Sequence, residues 1–225
     1  MSTLKQSIVR IPLIGDVARK IYYKVNPFPG SETYWDQRYK SGLTSGDGSY
    51  GKLARFKADI LNEAVLEHNI KTIIEYGCGD GNQLKLAQYP QYLGFDVSPA
   101  ALSLCRREFA GDATKKFRLM SEYAGETADL TLSLDVIYHL VEDEIYQPYM
   151  HRLFQSATSF VIIYSSNGVQ NSDATHVRHR KFTDWVKTNA TEWTLLNHIP
   201  NIFPHHKDNK KGSFADFYIY HRSDK

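Results

Sequence analysis

The sequence predicts an α/β fold: a mostly parallel sheet with helices on both of its faces. Short runs of β-branched and apolar residues alternate along the chain with stretches of helical spacing, which is the pattern of strand–helix–strand crossovers. One of these runs ends in a glycine-rich turn, and the next one ends in an acid. At 225 residues the chain is long enough for one such domain with a full core, and too short for two.

The composition is that of a globular protein, because 42% of the residues are hydrophobic and 13% are aromatic. No apolar run approaches the ~20 residues that cross a bilayer, and no signal-peptide pattern is visible. The two cysteines, Cys78 and Cys105, are too few for a disulfide framework or a metal cluster. We therefore expect a cytoplasmic protein in a reducing compartment.

Residues 1–30 are predicted to form an amphipathic arm ahead of a single domain that spans 31–225. Apolar residues recur at near-helical spacing through 4–23 with basic residues between them, and Pro12 and Gly15 interrupt the pattern. Such an arm can lie on an anionic membrane surface, or it can pack on the domain or on a second subunit. We favour packing, since a few basic charges on a proline-interrupted segment anchor only weakly to a membrane. The oligomeric state is expected to be a monomer or a homodimer.

An aromatic segment, 34–39, opens the predicted domain and is followed by a glycine-rich loop at 41–51. Aromatic residues and an arginine beside a flexible loop are typical of a lid that orders over a bound ligand. The same residues would equally suit an aromatic helix packed against the sheet edge. The stretch 50–69 has helical composition and apolar spacing, so it should cover one face of the sheet.

The stretch 71–84 carries the clearest functional signal. A β-branched run, 72–74, predicts a buried strand and is followed by three alternating glycines, Gly77, Gly79 and Gly81. Glycine takes backbone angles that are closed to other residues, and it lets a ligand approach the main chain closely. A glycine turn after a buried strand therefore indicates a ligand-binding turn.

The residues after this turn narrow the type of ligand. Asn82 and the apolar residues at 84, 86 and 87 predict the cap and inner face of a helix, which completes the first crossover of a nucleotide-binding α/β domain. A dinucleotide fingerprint would need a glycine at position 82, and no Gly-Lys-Ser/Thr follows as in a P-loop. The next predicted strand, 92–95, ends in Asp96, whose carboxylate can accept hydrogen bonds from both hydroxyls of a ribose.

The segment Glu75-Tyr-Gly77-Cys-Gly79-Asp-Gly81, with Asp96 after it, resembles motif I of the class I S-adenosylmethionine-dependent methyltransferases. The resemblance covers about residues 31–222 and implies a Rossmann-like sheet of seven strands, mostly parallel with an antiparallel C-terminal hairpin. It also implies an enzyme of the EC 2.1.1 class with S-adenosyl-L-methionine as its cofactor, and it places Arg38 against the methionine carboxylate. The residues predicted to bind the cofactor are Trp35, Arg38, Glu75, Gly77, Cys78, Gly79, Asp96, Val97, Met120, Ser121 and Leu134.

The remaining elements alternate as the fold requires. The approximate limits of these elements follow from two signals: proline at the first position of a helix, and β-branched runs in the strands. The predicted helices are 98–109, 142–157 and 181–189, and the predicted strands are 116–121, 128–135, 160–164, 193–199 and 214–220.

His139, at the end of the fourth predicted strand, is the first candidate for a general base, because a histidine near its ordinary pKa takes a proton from a hydroxyl at physiological pH. The alternative is a histidine that hydrogen-bonds and shapes the pocket. The loop after the fifth strand, where the family holds its acceptor, supplies two further catalytic candidates, His176 and His179. Candidates for binding the acceptor are Tyr50, Tyr138, Arg178 and Arg180, the two arginines being suited to an anionic group. A solvated loop is the alternative for this second set.

No metal is expected. Some O-methyltransferases hold Mg²⁺ with an Asp after the fourth strand and an Asp–Asn pair after the fifth. Asp135 and Asn167 are present here, but Ser165 and Ser166 stand where the second Asp would be.

The expected acceptor is a small molecule or a glycan, with oxygen as the methylated atom. The run Asp-Val-Ile-Tyr-His-Leu at 135–140 is similar to small bacterial methyltransferases associated with polysaccharide biosynthesis and secondary-metabolite pathways. The alternatives are an RNA or protein acceptor, or a non-catalytic S-adenosylmethionine-binding subunit. Nucleic acid is not the expected partner, because neither basic segment, 1–30 nor 176–211, is dense enough to predict its binding.

Overall fold

The computed structural model describes residues 28–170, 172, 174–205 and 212–223. The predicted N-terminal arm lies outside these residues apart from its last three. The described helices are α1 (Ser31–Lys40), α2 (Gly51–Glu67), α3 (Pro99–Glu108), α4 (Asp143–Gln155) and α5 (Phe182–Asn189). The strands are β1 (Thr72–Tyr76), β2 (Gln91–Asp96), β3 (Lys115–Leu119), β4 (Ala128–Leu134), β5 (Ala157–Ser165), β6 (Trp193–Ile199) and β7 (Asp216–Arg222).

The seven strands form one sheet in the order β3-β2-β1-β4-β5-β7-β6. β1 to β5 run parallel to one another, and β7 is antiparallel to both β5 and β6. The predicted α/β fold with an antiparallel C-terminal pair is therefore confirmed. The strand order reverses at β1 and β4, so a crevice opens beyond the carboxyl ends of these strands.

The core has two parts, one on each face of the sheet. Ile73 and Ile74 of β1 fall into different parts, because successive side chains of a strand point to opposite faces. α2 and α3 contribute to the part that contains Ile73, and α4 and α5 to the part that contains Ile74. With helices fixed on both faces, the strand ends at the crevice are held rigidly.

One predicted helix is absent from the described chain. Only a short 3₁₀ turn, Leu84–Leu86, stands where Asn82 was expected to cap a helix. Pro90 and the start of β2 at Gln91 leave too few residues after the glycine turn for several helical turns. Asn82 instead donates from its side-chain amide to the Ser49 carbonyl, 2.7 Å away. None of the helices in the described ranges is long and apolar enough to cross a membrane.

Candidate active site

A cavity of about 470 Å³ lies beyond the carboxyl ends of β1, β2 and β4, at the point where the strand order reverses. The glycine turn after β1, the end of β2 and the segment after β3 form its walls. α1 and α4 contribute residues to the remaining sides. Its position is the one at which open α/β sheets bind ligands.

The glycine turn has the backbone geometry that its sequence predicts. Gly77, Gly79 and Gly81 have φ values of 84°, 59° and 75°, in the left-handed region that favours glycine. A Cβ on Gly77 would lie 2.5 Å from Cγ2 of Val136, and one on Gly81 would lie 3.0 Å from Sγ of Cys105. The glycines therefore allow close packing of the protein on itself, a role that the prediction of close ligand approach did not include.

Asp96, at the end of β2, links the glycine turn to the neighbouring strand. Its carboxylate accepts a hydrogen bond from the Gly79 amide and another from the Ser98 amide, each at 2.9 Å. Burial raises its pKa to about 6, although these backbone donors oppose the shift. A carboxylate has about four acceptor sites, so Asp96 retains acceptor capacity for a ligand in the cavity that it lines.

Glu75 is the second buried carboxyl group of the cavity wall. It accepts a hydrogen bond of 2.7 Å from the Tyr92 hydroxyl, and burial raises its pKa to about 7. At neutral pH the group is therefore divided between its neutral and ionised forms. A nearby cation would favour the ionised form.

The structure brings together ten of the eleven residues that were predicted to bind the cofactor. The ten that line the cavity are Trp35, Glu75, Gly77, Cys78, Gly79, Asp96, Val97, Met120, Ser121 and Leu134. Arg38 is the exception: its Nε donates to the Thr44 carbonyl at 2.6 Å, and its guanidinium lies 5.5 Å from the ring centre of Trp35. Arg38 therefore lies behind Trp35 and does not form part of the cavity wall.

The aromatic segment forms the helix α1, and this helix also covers the cavity. Trp35 lines the cavity and packs edge-on against the His139 ring, 4.7 Å away between centroids. The start of α1 is attached to the segment before α4, because the Ser31 amide and hydroxyl both donate to the Glu142 carboxylate. The segment is thus a packed helix that lines the cavity, and its role as a lid stays a prediction.

The glycine-rich loop that follows α1 is attached to the glycine turn. The Ser45 amide donates to the Asp80 carboxylate at 2.9 Å, and the Asp80 amide donates back to the Ser45 hydroxyl at 3.1 Å. Tyr50 donates its hydroxyl to the same carboxylate at 2.8 Å and does not line the cavity. Tyr50 thus holds the loop on the turn, whereas the sequence had suggested that it contacts the acceptor.

His139 lines the cavity, but its environment corrects the expectation of an ordinary pKa. Burial lowers the pKa to about 4, so the imidazole is neutral at physiological pH. Nδ1 lies 2.9 Å from the His176 carbonyl oxygen, which can only accept, so Nδ1 carries the proton. Nε2 is left with a free lone pair. His139 is therefore a hydrogen-bond acceptor and a much weaker base than an exposed histidine.

His176 and His179 do not line the cavity. The His176 ring stacks between Tyr34 and His139, with centroid distances of 4.6 and 5.4 Å. His179 Nδ1 lies 2.7 Å from the Ser166 hydroxyl oxygen. Burial lowers the pKa of both histidines. These contacts support the loop and the histidine that faces the cavity.

Arg178 and Arg180 also have protein partners, and neither lines the cavity. Both form ion pairs with Asp143, at 3.2 and 2.5 Å. Arg180 also donates to the carbonyls of Leu140 and Val141, and its guanidinium lies 4.3 Å from the ring centre of Tyr146. The two arginines join the loop after β5 to the segment before α4.

Lys57 and Gln83 are among the residues of the cavity wall that the sequence interpretation missed. Lys57 is 1% exposed and forms an ion pair of 2.6 Å with Asp135, whose other oxygen accepts from the Tyr138 hydroxyl at 2.8 Å. A signal for Lys57 existed, because it stands four residues from both Leu53 and Leu61 on the apolar face of a predicted helix.

Asp135 was the first residue considered as a magnesium ligand, and its counterion in the structure is the Lys57 ammonium. Its backbone adopts a left-handed conformation, with φ at 61°, which turns the chain out of β4. Tyr138 is buried, bonds to Asp135 and does not line the cavity, so it was wrongly expected to face the acceptor. Within the described ranges, no cluster of three His, Cys, Asp or Glu side chains has the arrangement of a metal site.

The comparisons with known proteins agree with this architecture. Residues 74–162 match the family model described as a methyltransferase domain. The match runs from β1 into β5 and includes the glycine turn and Asp96, the residues that carry the resemblance to the class I S-adenosylmethionine-dependent methyltransferases. No curated protein sequence gives a significant match.

Three solved structures illustrate the likeness in fold. The N-methyltransferase NodS from Bradyrhizobium japonicum WM9, in complex with S-adenosyl-L-homocysteine, is 14% identical, with a TM-score of 0.65 over 87% of this chain and 100% of that chain. The magnesium protoporphyrin IX methyltransferase ChlM from Synechocystis PCC 6803, with bound S-adenosylmethionine, is 13% identical, with a TM-score of 0.63 over 88% and 99%. The methyltransferase domain of bacterial CtHen1-C is 19% identical, with a TM-score of 0.60 over 76% and 98%. At these identities the likeness concerns the fold.

Proposed function

We propose that this protein transfers a methyl group from S-adenosylmethionine to a hydroxyl of a small molecule or glycan. The observation that carries the proposal is the direct hydrogen bond between the Gly79 amide and the Asp96 carboxylate, both of which line one cavity. The turn and the acid are the two features that the cofactor requires, one for its amino-acid end and one for its ribose. The chain brings the two features together in one cavity wall.

The cofactor supplies an electrophilic methyl group, so the protein has to orient donor and acceptor and exclude water. Trp35 and the rest of α1 cover the cavity on one side. Asp96 offers acceptor positions for ribose hydroxyls, and its ionised form is the competent one. Glu75, at the turn, suits an ammonium group, which would stabilise its carboxylate form.

His139 is the feature that favours oxygen as the methylated atom. Its Nε2 lone pair can accept a hydrogen bond from an acceptor hydroxyl and thereby orient one of the oxygen lone pairs toward the methyl group. With a pKa of about 4, His139 receives the proton only as the new bond forms and passes it on to solvent. The structures similar in fold include an N-methyltransferase and a magnesium protoporphyrin methyltransferase, so the fold by itself accommodates several acceptors.

Binding of S-adenosylhomocysteine to Asp96→Asn tests the cofactor assignment by calorimetry. The substitution should weaken binding by ~1.5–3 kcal/mol, because the ribose loses hydrogen bonds to a charged group. Asp112→Asn, which changes a carboxyl group on the exposed loop before β3, is the control and should bind normally. Wild-type protein that ignores S-adenosylhomocysteine would contradict the proposed function as a whole.

The acceptor class can be found with labelled S-adenosylmethionine and a fractionated cell extract. We expect the label in a small-molecule or glycan fraction that resists both ribonuclease and protease. Label lost on ribonuclease or protease treatment would replace the acceptor with RNA or protein. Absence of any turnover, together with normal cofactor binding, would indicate a non-catalytic subunit.

A further inference from the structure

Lys57 is a buried cation at the end of the cavity where the glycine turn lies. Its side chain is 1% exposed, and it extends from α2 to the cavity wall beside Glu75. Within the described chain its ammonium donates one hydrogen bond, to Asp135. An ammonium group has three N–H donors, so two have no assigned acceptor. The ring of Tyr164, 5.2 Å away, offers only a cation–π contact.

Gln83 supplies the complementary feature. It is 8% exposed, it lines the same cavity, and its side-chain amide donates to the Ala54 carbonyl of α2 at 3.0 Å. Its carbonyl oxygen Oε1 is buried and has no hydrogen-bond partner among the described residues. An unpaired buried acceptor is unfavourable, and a hydrogen bond from a ligand N–H would remove this cost.

Lys57 is the cationic side chain at the end of the cavity that the glycine turn forms. The two cationic side chains in the described wall are Lys57 and Arg152. Arg152 is engaged at the opposite end, where its guanidinium contacts Sδ of Met120 and the ring of Tyr123. Arg38, which the sequence had assigned to the methionine carboxylate, lies outside the wall.

We propose that Lys57 and Gln83 bind the amino-acid end of the cofactor, with the α-carboxylate on the Lys57 ammonium and the α-ammonium on Oε1 of Gln83. This inference rests on the proposed function and adds the residues that distinguish a zwitterionic ligand from a plain nucleoside thioether. Both contacts are specificity determinants, because Oε1 of Gln83 has no hydrogen-bond partner in the described chain and the Lys57 ammonium has two N–H donors beyond the one that Asp135 accepts.

Three ligands that differ in this end separate binding from a structural role. S-Adenosylmethionine carries the carboxylate and the ammonium, decarboxylated S-adenosylmethionine lacks the carboxylate, and 5′-methylthioadenosine lacks the whole amino-acid end together with the sulfonium charge. Calorimetric affinities for the three are measured on wild-type protein, Lys57→Met and Gln83→Met. Lys52→Met is the matched control, because this lysine lies on the exposed side of the same helix.

Wild-type protein should bind S-adenosylmethionine roughly 10- to 100-fold more tightly than its decarboxylated form, the factor that corresponds to hydrogen bonds between charged groups. Lys57→Met should reduce this ratio to about 1, and Gln83→Met should weaken both of these ligands alike. Neither substitution should change the affinity for 5′-methylthioadenosine, and Lys52→Met should change nothing.

Removal of Lys57 also leaves the Asp135 carboxylate without its counterion, so Lys57→Met can lose stability. The double variant Asp135→Asn/Lys57→Met buries neither charge, and Asp135→Asn, which leaves the Lys57 ammonium with an amide oxygen as its acceptor, is its reference. Asp135→Asn should keep the preference for the carboxylate, and the double variant should lose it. Equal losses for all three ligands would overturn the inference and leave Lys57 structural, whereas wild-type protein that binds none of the three would contradict the proposed function itself.

Discussion

The glycine turn after β1 and the loop after β5 both contain the polar residues expected of an active site, and the structure uses them differently. Glu75, Gly79 and Asp96, in and beside the turn, lie in the cavity wall. Arg178 and Arg180, in the loop, bind Asp143 and backbone carbonyls outside the cavity. The turn is fixed between two parallel strands, whereas the position of a loop depends on partners far away in sequence.

The comparison shows when a residue type predicts chemistry. A motif that follows a strand has a known backbone position, so its side chains can be placed relative to the sheet from sequence alone. A charged loop residue can instead form an ion pair or a hydrogen bond with whichever carboxylate or carbonyl lies nearest. The following predictions test this distinction, beginning with the change that should have the largest effect.

Gly77→Ala should damage the turn most. Alanine in a left-handed conformation costs ~1–2 kcal/mol, and the overpacking against Val136 adds ~1–3 kcal/mol. The free energy of unfolding, measured in urea, should fall by the sum of these, and S-adenosylhomocysteine affinity should fall with it. Gly111→Ala is the control, because a Cβ there meets open space and its φ lies outside the left-handed region. Unchanged stability in Gly77→Ala would mean that the turn adapts, and that its left-handed backbone geometry is not what fixes the site.

Glu75→Gln tests the buried charge of the same region. Because the pKa of Glu75 is about 7 in the folded state and 4.5 as its ordinary value, the folded protein binds the extra proton between these values. Ionisation of Glu75 therefore lowers the free energy of unfolding by a few kcal/mol at most as the pH rises from about 4.5 to about 7. Above about pH 7 this reduction is constant. Glutamine cannot ionise, so unfolding of Glu75→Gln in urea should lack this component.

The exposed Glu63→Gln on α2 provides the comparison for Glu75→Gln. Its stability should follow the wild-type dependence on pH throughout the range. If Glu75→Gln also follows the wild-type curve, the carboxyl group of Glu75 titrates normally. The turn would then contain no carboxyl group with a raised pKa whose ionised form a ligand ammonium could stabilise.

The elements of the fold were predictable because most of them are encoded locally. β-Branched runs fixed the sheet, and Ser98 with Pro99 marked the start of α3, where the Ser98 hydroxyl accepts from the Ala101 amide. The prediction of a helix after Asn82 was wrong. The apolar spacing of this segment is typical of a helix, but Pro90 ends the segment before several helical turns can form. Bounds elsewhere differed by a few residues.

The candidate site was predictable where residues follow a strand and not where burial decides. The low pKa of His139 arises from burial, to which the packed rings of Trp35 and His176 contribute, and no local pattern reveals this burial. The partners of Arg178 and Arg180 lie 35 to 40 positions earlier in the chain. Lys57 had a visible signal, but an apolar helix face is ordinarily interpreted as core.

The last prediction concerns the loop and has the smallest expected effect. Arg180→Met should lower the free energy of unfolding by ~1.5–3 kcal/mol, because Arg180 is mostly buried and caps the carbonyls of Leu140 and Val141. Arg178→Met should change it by less than ~1 kcal/mol, since that side chain is half-exposed. Urea unfolding measures both, and S-adenosylhomocysteine affinity should stay at the wild-type value. The opposite pattern, full stability in Arg180→Met with lower turnover of the identified acceptor, would show that the loop binds the acceptor after all. In that case, charged loop residues would be as informative as the motif at the strand end.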